Sequence, residues 1–128
     1  MIVPKIVLGK WVKEMTEWMP SVRVFCFYGP NEQRETMKTQ MRQHNFDVMV
    51  TTFETVMMEK TELGKYKFEY LILDEAQRIK NDESVLSQVL RKFKTKNRIL
   101  LTGTPLQNNL KELWALLNFL MPRLFDSA

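Results

Sequence analysis

Tyr70-Leu71-Ile72-Leu73-Asp74-Glu75-Ala76-Gln77 is the stretch on which the fold turns. Four apolar residues run without a break and stop at two carboxylates. Because successive strand residues point to opposite faces, an unbroken apolar run is a strand buried on both sides, as in parallel sheets. In open sheets of that kind ligands bind just beyond the carboxyl ends of the strands. Two adjacent carboxylates at that place have a ready use. Mg2+ is a hard octahedral ion, held by one or two carboxylates, waters and substrate phosphates. Asp74 is placed for such an ion, directly or through water. Glu75, one residue on, points differently and can orient or deprotonate an attacking water. The structural alternative is that Asp74 caps a helix and Glu75 is simply solvated. Four letters alone leave both open.

Outward from this stretch, short apolar runs alternate with helical periods. Met1-Ile2-Val3 reads as a strand end stopped by Pro4. Leu8 to Met19 reads as a helix, with Trp11, Met15 and Trp18 on one face and both tryptophans in the core. Val22 to Tyr28 is a strand closed by Gly29-Pro30, and Asn31 is a candidate cap for a helix from Glu32 to Gln43. Asp47 to Thr51 is a strand, followed by a short helix from Phe53 to Lys60. Ser84 to Lys92 is helical, its buried side drawn from Val85, Leu86, Val89, Leu90 and Phe93. Arg98 to Leu101 is a strand and Leu110 to Leu120 a last helix before Pro122. Strands alternating with helices predict an α/β fold, its parallel sheet covered on both faces.

The residues just past the other strands then become candidates. Thr102-Gly103-Thr104-Pro105 follows the last strand. Gly103 permits a tight turn, and Pro105 holds Thr104 extended. Two hydroxyls are thereby presented near Gln77, whose amide both donates and accepts. Thr51 and Thr52 end another strand, and Pro4 and Lys5 follow the first. Hydroxyls, a lysine and loop amides are common phosphate contacts in nucleic-acid proteins. An ordinary strand end with a helix cap uses the same letters.

Taken in order, these blocks carry a resemblance. Val3-Pro4-Lys5, Val50-Thr51-Thr52-Phe53-Glu54, Leu73-Asp74-Glu75-Ala76-Gln77-Arg78-Ile79-Lys80-Asn81 and Leu100 to Asn109, continued by Leu110 to Leu120, resemble superfamily-2 helicase-like ATPases of the Swi/Snf type. The likeness spans essentially the whole chain and is nearest to the imitation-switch chromatin remodellers. It implies a partial RecA-like (P-loop NTPase) lobe, mostly parallel sheet with helices on both faces. Residues 1–128 would be the C-terminal portion of the first, ATP-binding lobe. The cofactors implied are ATP and Mg2+. The partner implied is double-stranded DNA, in nucleosomes, and the compartment implied is the nucleus. Asp74 resembles the Mg2+-associated aspartate, acting through water. Glu75 resembles the catalytic glutamate, with Gln77 in the same catalytic set. Thr102, Gly103, Thr104 and Gln107 match the motif that couples hydrolysis to movement. Pro4 and Lys5 match the first DNA-contact motif, Thr51 and Thr52 the second. Gln77 stands where the imitation-switch branch more often has histidine.

One part of the implied site does not appear. A phosphate loop reads G-x-x-x-x-G-K-[ST], its backbone amides cradling phosphates. Gly9-Lys10 has Pro4 five residues before the glycine and Trp11 where a hydroxyl is needed, so it is rejected. In the family the loop lies upstream of the block matched by Val3-Pro4-Lys5, and a second RecA-like lobe completes the cleft. The chain alone is therefore expected to lack the Walker A strand-loop-helix, to be inactive by itself, and to expose apolar surface where that segment packs. The alternative function is a non-catalytic DNA- or partner-binding fragment of the family.

Composition fits these expectations. The 128 residues are 45% hydrophobic and 27% charged, as in globular domains, and no apolar run approaches membrane-spanning length. Cys26 is alone, so it forms no internal disulfide, and it reads as a small buried hydrophobe in a reducing compartment. The net charge is +4. Between Arg78 and Arg98, seven basic residues (Arg78, Lys80, Arg91, Lys92, Lys94, Lys96, Arg98) face two acidic ones (Asp82, Glu83). That excess suits a polyanion, but on charge alone a solvated helix face and loop is the more ordinary reading.

Overall fold

The computed structural model describes residues 1–76, 84–102, 117, 119 and 120. They divide into two units, Met1–Glu62 and Leu63–Ala128. In the first unit β1 (Ile2–Val3) leads through a 3-10 turn (Lys5–Val7) into α1 (Leu8–Trp18). There follow β2 (Val24–Phe27), α2 (Asn31–Met41), β3 (Val48–Thr52), α3 (Phe53–Met58) and the short α4 (Lys60–Leu63). The strands lie parallel in the order β2-β3-β1, with Val24 opposite Val48 and Ile2 opposite Thr51.

Period-two alternation sorts their side chains. Val3 and Val50 form a buried cluster with Leu8 of α1, against which Trp11, Met15, Val24, Cys26 and Val48 pack. Ile2, Phe27 and Met49 point the opposite way and are buried too. Both faces are thus covered, as a parallel sheet demands. Burial pushes the Cys26 thiol upward, which keeps it protonated and inert.

Several boundaries differ from the sequence reading, each for a local reason. Trp18 is 80% exposed at the end of α1, where its indole N–H donates to Glu14, so only Trp11 joins the core. β2 begins at Val24 because Arg23 is held by Asp47, through its amide at 2.8 Å and its guanidinium at 3.1 Å. Asn31 does not cap α2. It is the first helical residue, and its side-chain oxygen accepts from Arg34 instead.

In the second unit β4 (Lys67–Leu73) and β5 (Lys94–Leu100) pair in parallel, with Leu73 opposite Leu100. Between them in the chain lies α5 (Val85–Arg91), whose Ser84 hydroxyl accepts from the Ser87 amide as an N-cap. Leu90 and Phe93 are buried as expected, but Val85 faces solvent. β5 starts four residues earlier than its apolar run. Its polar residues Lys94 to Asn97 are recruited by pairing with Lys67 to Tyr70. The pairings β1–β3, β2–β3 and β4–β5 are all parallel, and helices separate the strands along the chain, so the fold is α/β. No described helix is long and apolar enough to cross a membrane.

Candidate functional site

The two carboxylates singled out by sequence stand where β4 runs out. The Leu101 amide donates to the Leu73 carbonyl at 2.8 Å, the last rung of the ladder. Beyond it, the Ala76 amide donates to the Leu101 carbonyl, also at 2.8 Å. Asp74 and Glu75 are the residues pushed out between these two rungs. To bring Ala76 back within reach, Glu75 adopts φ +57°, a left-handed conformation rare for a residue with a side chain. Such strain costs roughly 1–2 kcal/mol and persists only where the surroundings over-determine it. Here the two rungs do so, and the Glu75 amide is further held by Asp74 Oδ1 at 3.0 Å. Both residues are half-buried.

Thr102 follows Leu101 directly and is exposed. The carboxylate pair and the start of the threonine turn therefore lie at the carboxyl ends of two adjacent, hydrogen-bonded strands. Gln77, Gly103, Thr104 and Gln107 lie outside the described residues, as does most of the helix expected from Leu110 to Leu120. The donor set fits Mg2+ chemically. Oxygen ligands at a rigid strand end are what a hard ion takes, with waters and phosphates filling the remaining positions. Among the described residues no group of three or more His, Cys, Asp or Glu converges.

The other candidates gather at the carboxyl edge of the first unit. Val3 pairs with Thr52, so Pro4-Lys5 and Thr51-Thr52 are neighbours across adjacent strands. Lys5 is exposed, and its Nζ lies 6.0 Å above the Tyr28 ring, at the outer limit of a cation–π contact. Thr51 and Thr52 are 3% and 1% exposed. The Thr51 hydroxyl donates to the Phe27 carbonyl at 2.6 Å. The Thr52 hydroxyl donates to the Thr55 hydroxyl at 2.9 Å and accepts from the Thr55 amide at 3.1 Å, capping α3. The threonine hydroxyls hold this edge together.

Sequence reasoning missed what surrounds that edge. Tyr28 was only a strand end, and Arg34 and Glu59, 25 residues apart, form a buried ion pair behind it. The polar Arg34 on a helix with few apolar positions was the only hint. The basic excess toward Arg98 is also less available than it looked. Arg98 donates to the carbonyls of Arg91, Phe93 and Phe119, each at 3.1 Å, and its guanidinium lies 4.6 Å from the centre of the Phe119 ring. Burial, and then the nearby Arg91 charge, lower its pKa from the ordinary arginine value. Lys96 pairs with Glu69 at the surface.

Comparison with known proteins adds independent findings. The model of the SNF2-related domain matches residues 1–128. The human "SWI/SNF-related matrix-associated actin-dependent regulator of chromatin subfamily A member 1" is 52% identical over 99% of this chain and 12% of its own length. The Saccharomyces cerevisiae "ISWI chromatin-remodeling complex ATPase ISW1" is 51% identical over 99% of this chain and 11% of its own. A solved structure of the Sulfolobus solfataricus SWI2/SNF2 ATPase core in complex with dsDNA superposes with a TM-score of 0.82. It is 33% identical, over 96% of this chain and 25% of that one.

Proposed function

This chain belongs to the family of SNF2-related domains, and from that premise we propose that it forms part of a DNA-stimulated ATPase that moves along double-stranded DNA and acts on nucleosomes in the nucleus. By their descriptions the human relative is a regulator of chromatin and the yeast relative a chromatin-remodelling ATPase, and the chain spans 11–12% of their lengths. The observation that carries the reading is the strained turn at Glu75. A carboxylate held at positive φ between two ladder rungs is a costly local arrangement, best understood as one kept for chemistry.

In this reading ATP and Mg2+ bind beyond the ends of β4 and β5. When bound, Mg2+ neutralises charge on the transferring phosphoryl group. Asp74 holds the ion's water shell in place, and Glu75 orients the attacking water and accepts its proton. Gln77, Thr102, Gly103, Thr104 and Gln107 relay the state of the nucleotide to the rest of the motor. Pro4, Lys5, Thr51 and Thr52 form the edge that meets the DNA backbone, Lys5 by its charge and the threonines through the backbone that they brace.

The remaining parts of the cleft are assigned to other segments of the full-length protein: a phosphate loop on its own strand and helix, and a second RecA-like lobe. Tyr70 and Ile99 support this. They share one face of the β4–β5 pair and are 55% and 39% exposed, whereas both faces of a parallel sheet are ordinarily covered.

The test is Glu75→Gln in the full-length protein, with steady-state ATP turnover measured with and without duplex DNA. Loss of a positioned general base lowers turnover by about 10²–10⁴-fold, with nucleotide binding kept. Unchanged turnover removes Glu75 from the chemistry. DNA binding without any nucleotide dependence would favour the non-catalytic binding fragment.

A further inference from the structure

Behind the DNA-facing edge lies a buried ion network that the reaction scheme leaves unused. Arg34, on α2, is 9% exposed. Its Nε donates to Glu59 Oε1 at 3.0 Å, one terminal nitrogen to the Gly29 carbonyl at 2.8 Å, and the other to Asn31 Oδ1 at 3.4 Å. Glu59 terminates α3, and its second carboxylate oxygen takes Lys38 Nζ at 2.6 Å. Burial pushes the Glu59 pKa up, but the hydrogen bonds from Lys38 and Arg34 outweigh it and leave the carboxyl below its usual value.

The pair joins two pieces of backbone that lie far apart in the chain. One is the turn after β2. Gly29 has φ +135°, a backbone conformation that residues with side chains rarely adopt, so any substitution at this turn is strained. Tyr28, immediately before it, carries Lys5 above its ring. The other is α3, which starts at the Thr52 cap and ends at Glu59. The guanidinium of Arg34 reaches both.

A buried ion pair adds little net stability over a well-packed apolar pair, so its better-attested use is to set registry. We propose that Arg34 and Glu59 are positioning residues for DNA engagement: they lock the Tyr28-Gly29 turn to α3, and so hold Lys5 and the Thr51-Thr52 backbone at one spacing against the duplex. This rests on the reading above that this edge meets DNA.

The experiment uses the full-length protein and linear duplex DNA. It measures the DNA concentration for half-maximal ATPase stimulation, turnover at saturating DNA, and the melting temperature. Lys5→Ala is the control for the edge itself. The informative variant is Arg34→Met with Glu59→Leu, which replaces the ion pair by apolar contact and leaves Lys38 its bridge to Glu35, but gives up the hold on the Gly29 carbonyl. The expected result is a half-maximal DNA concentration raised on the order of tenfold, about 1.4 kcal/mol of binding. Turnover at saturating DNA and the melting temperature stay near those of the parent. A merely structural pair would move the melting temperature and leave the DNA requirement alone, which overturns the proposal. If Lys5→Ala raises the DNA requirement and the double variant does not, the positioning role fails while the edge reading stands. If Lys5→Ala changes nothing, the edge reading falls and the proposal with it. Should the double variant fail to fold, Arg34→Lys decides. It keeps the charge beside Glu59 but lacks the fork that also reaches Gly29, so an unchanged DNA requirement rejects positioning and a raised one supports it.

Discussion

The amide of Ala76 donates to the carbonyl of Leu101 at 2.8 Å, and this one bond shapes the candidate catalytic turn. It draws the chain after β4 back onto the end of β5. The two intervening carboxylates are left standing outside the ladder. Glu75 takes up the geometric mismatch in its backbone. Asp74 in turn holds that backbone, its Oδ1 accepting from the Glu75 amide at 3.0 Å.

Strain at Glu75 has a measurable consequence for stability. Glu75→Gly should leave the urea midpoint of the 128-residue chain unchanged or slightly higher, because relief of about 1–2 kcal/mol is partly offset by the freer unfolded glycine chain. Glu75→Val, branched at Cβ and poorly suited to positive φ, should lower stability by about 1–2 kcal/mol. Equal midpoints for the two variants would rule out a strained turn.

Asp74 is assigned to the metal's water shell, so its removal should act on Mg2+ before it acts on nucleotide. In the full-length protein, Asp74→Asn should raise the Mg2+ concentration for half-maximal turnover by about 10–100-fold. A Mg2+ titration of ATPase activity checks this. A reduced maximal rate with an unshifted Mg2+ midpoint would argue for another role.

The Thr52 hydroxyl caps α3 by accepting from the Thr55 amide. Thr52→Ala should therefore cost about 1 kcal/mol, and Thr52→Ser no more than a few tenths. Urea denaturation of the two variants measures the difference, and equal losses would show that the cap contributes nothing.

The paired carboxylates introduce a pH dependence. Hydrogen bonds from Arg23 hold the Asp47 pKa below its ordinary value. Burial pushes Glu59 the other way, but the hydrogen bonds from Lys38 and Arg34 outweigh it and leave that carboxyl lowered too. As these groups titrate, the unfolded chain binds more protons than the folded one, so stability should be fully present above the ordinary carboxylate range and fall as pH drops through and below it. Denaturation midpoints at about pH 6 and about pH 3 test the sign. A chain more stable at the lower pH would refute it.

Much of this was legible in the residues alone. The apolar run at Tyr70 to Leu73, the alternation of strands with helices and the carboxylates at a strand end are local patterns. A strand buried on both faces must be apolar throughout, and a residue following it must lie at the sheet's edge. So the α/β class and the place of Asp74 and Glu75 were determined by sequence. The polar start of β5 was not, since Lys94 to Asn97 become a strand only because β4 lies beside them. Nor was the exposure of Trp18, which depends on where α1 stops relative to the core. The left-handed turn at Glu75 and the Arg34–Glu59 pair belong to the same class. Each needs a partner some 25 residues away, and only the folded chain brings those groups within hydrogen-bonding distance.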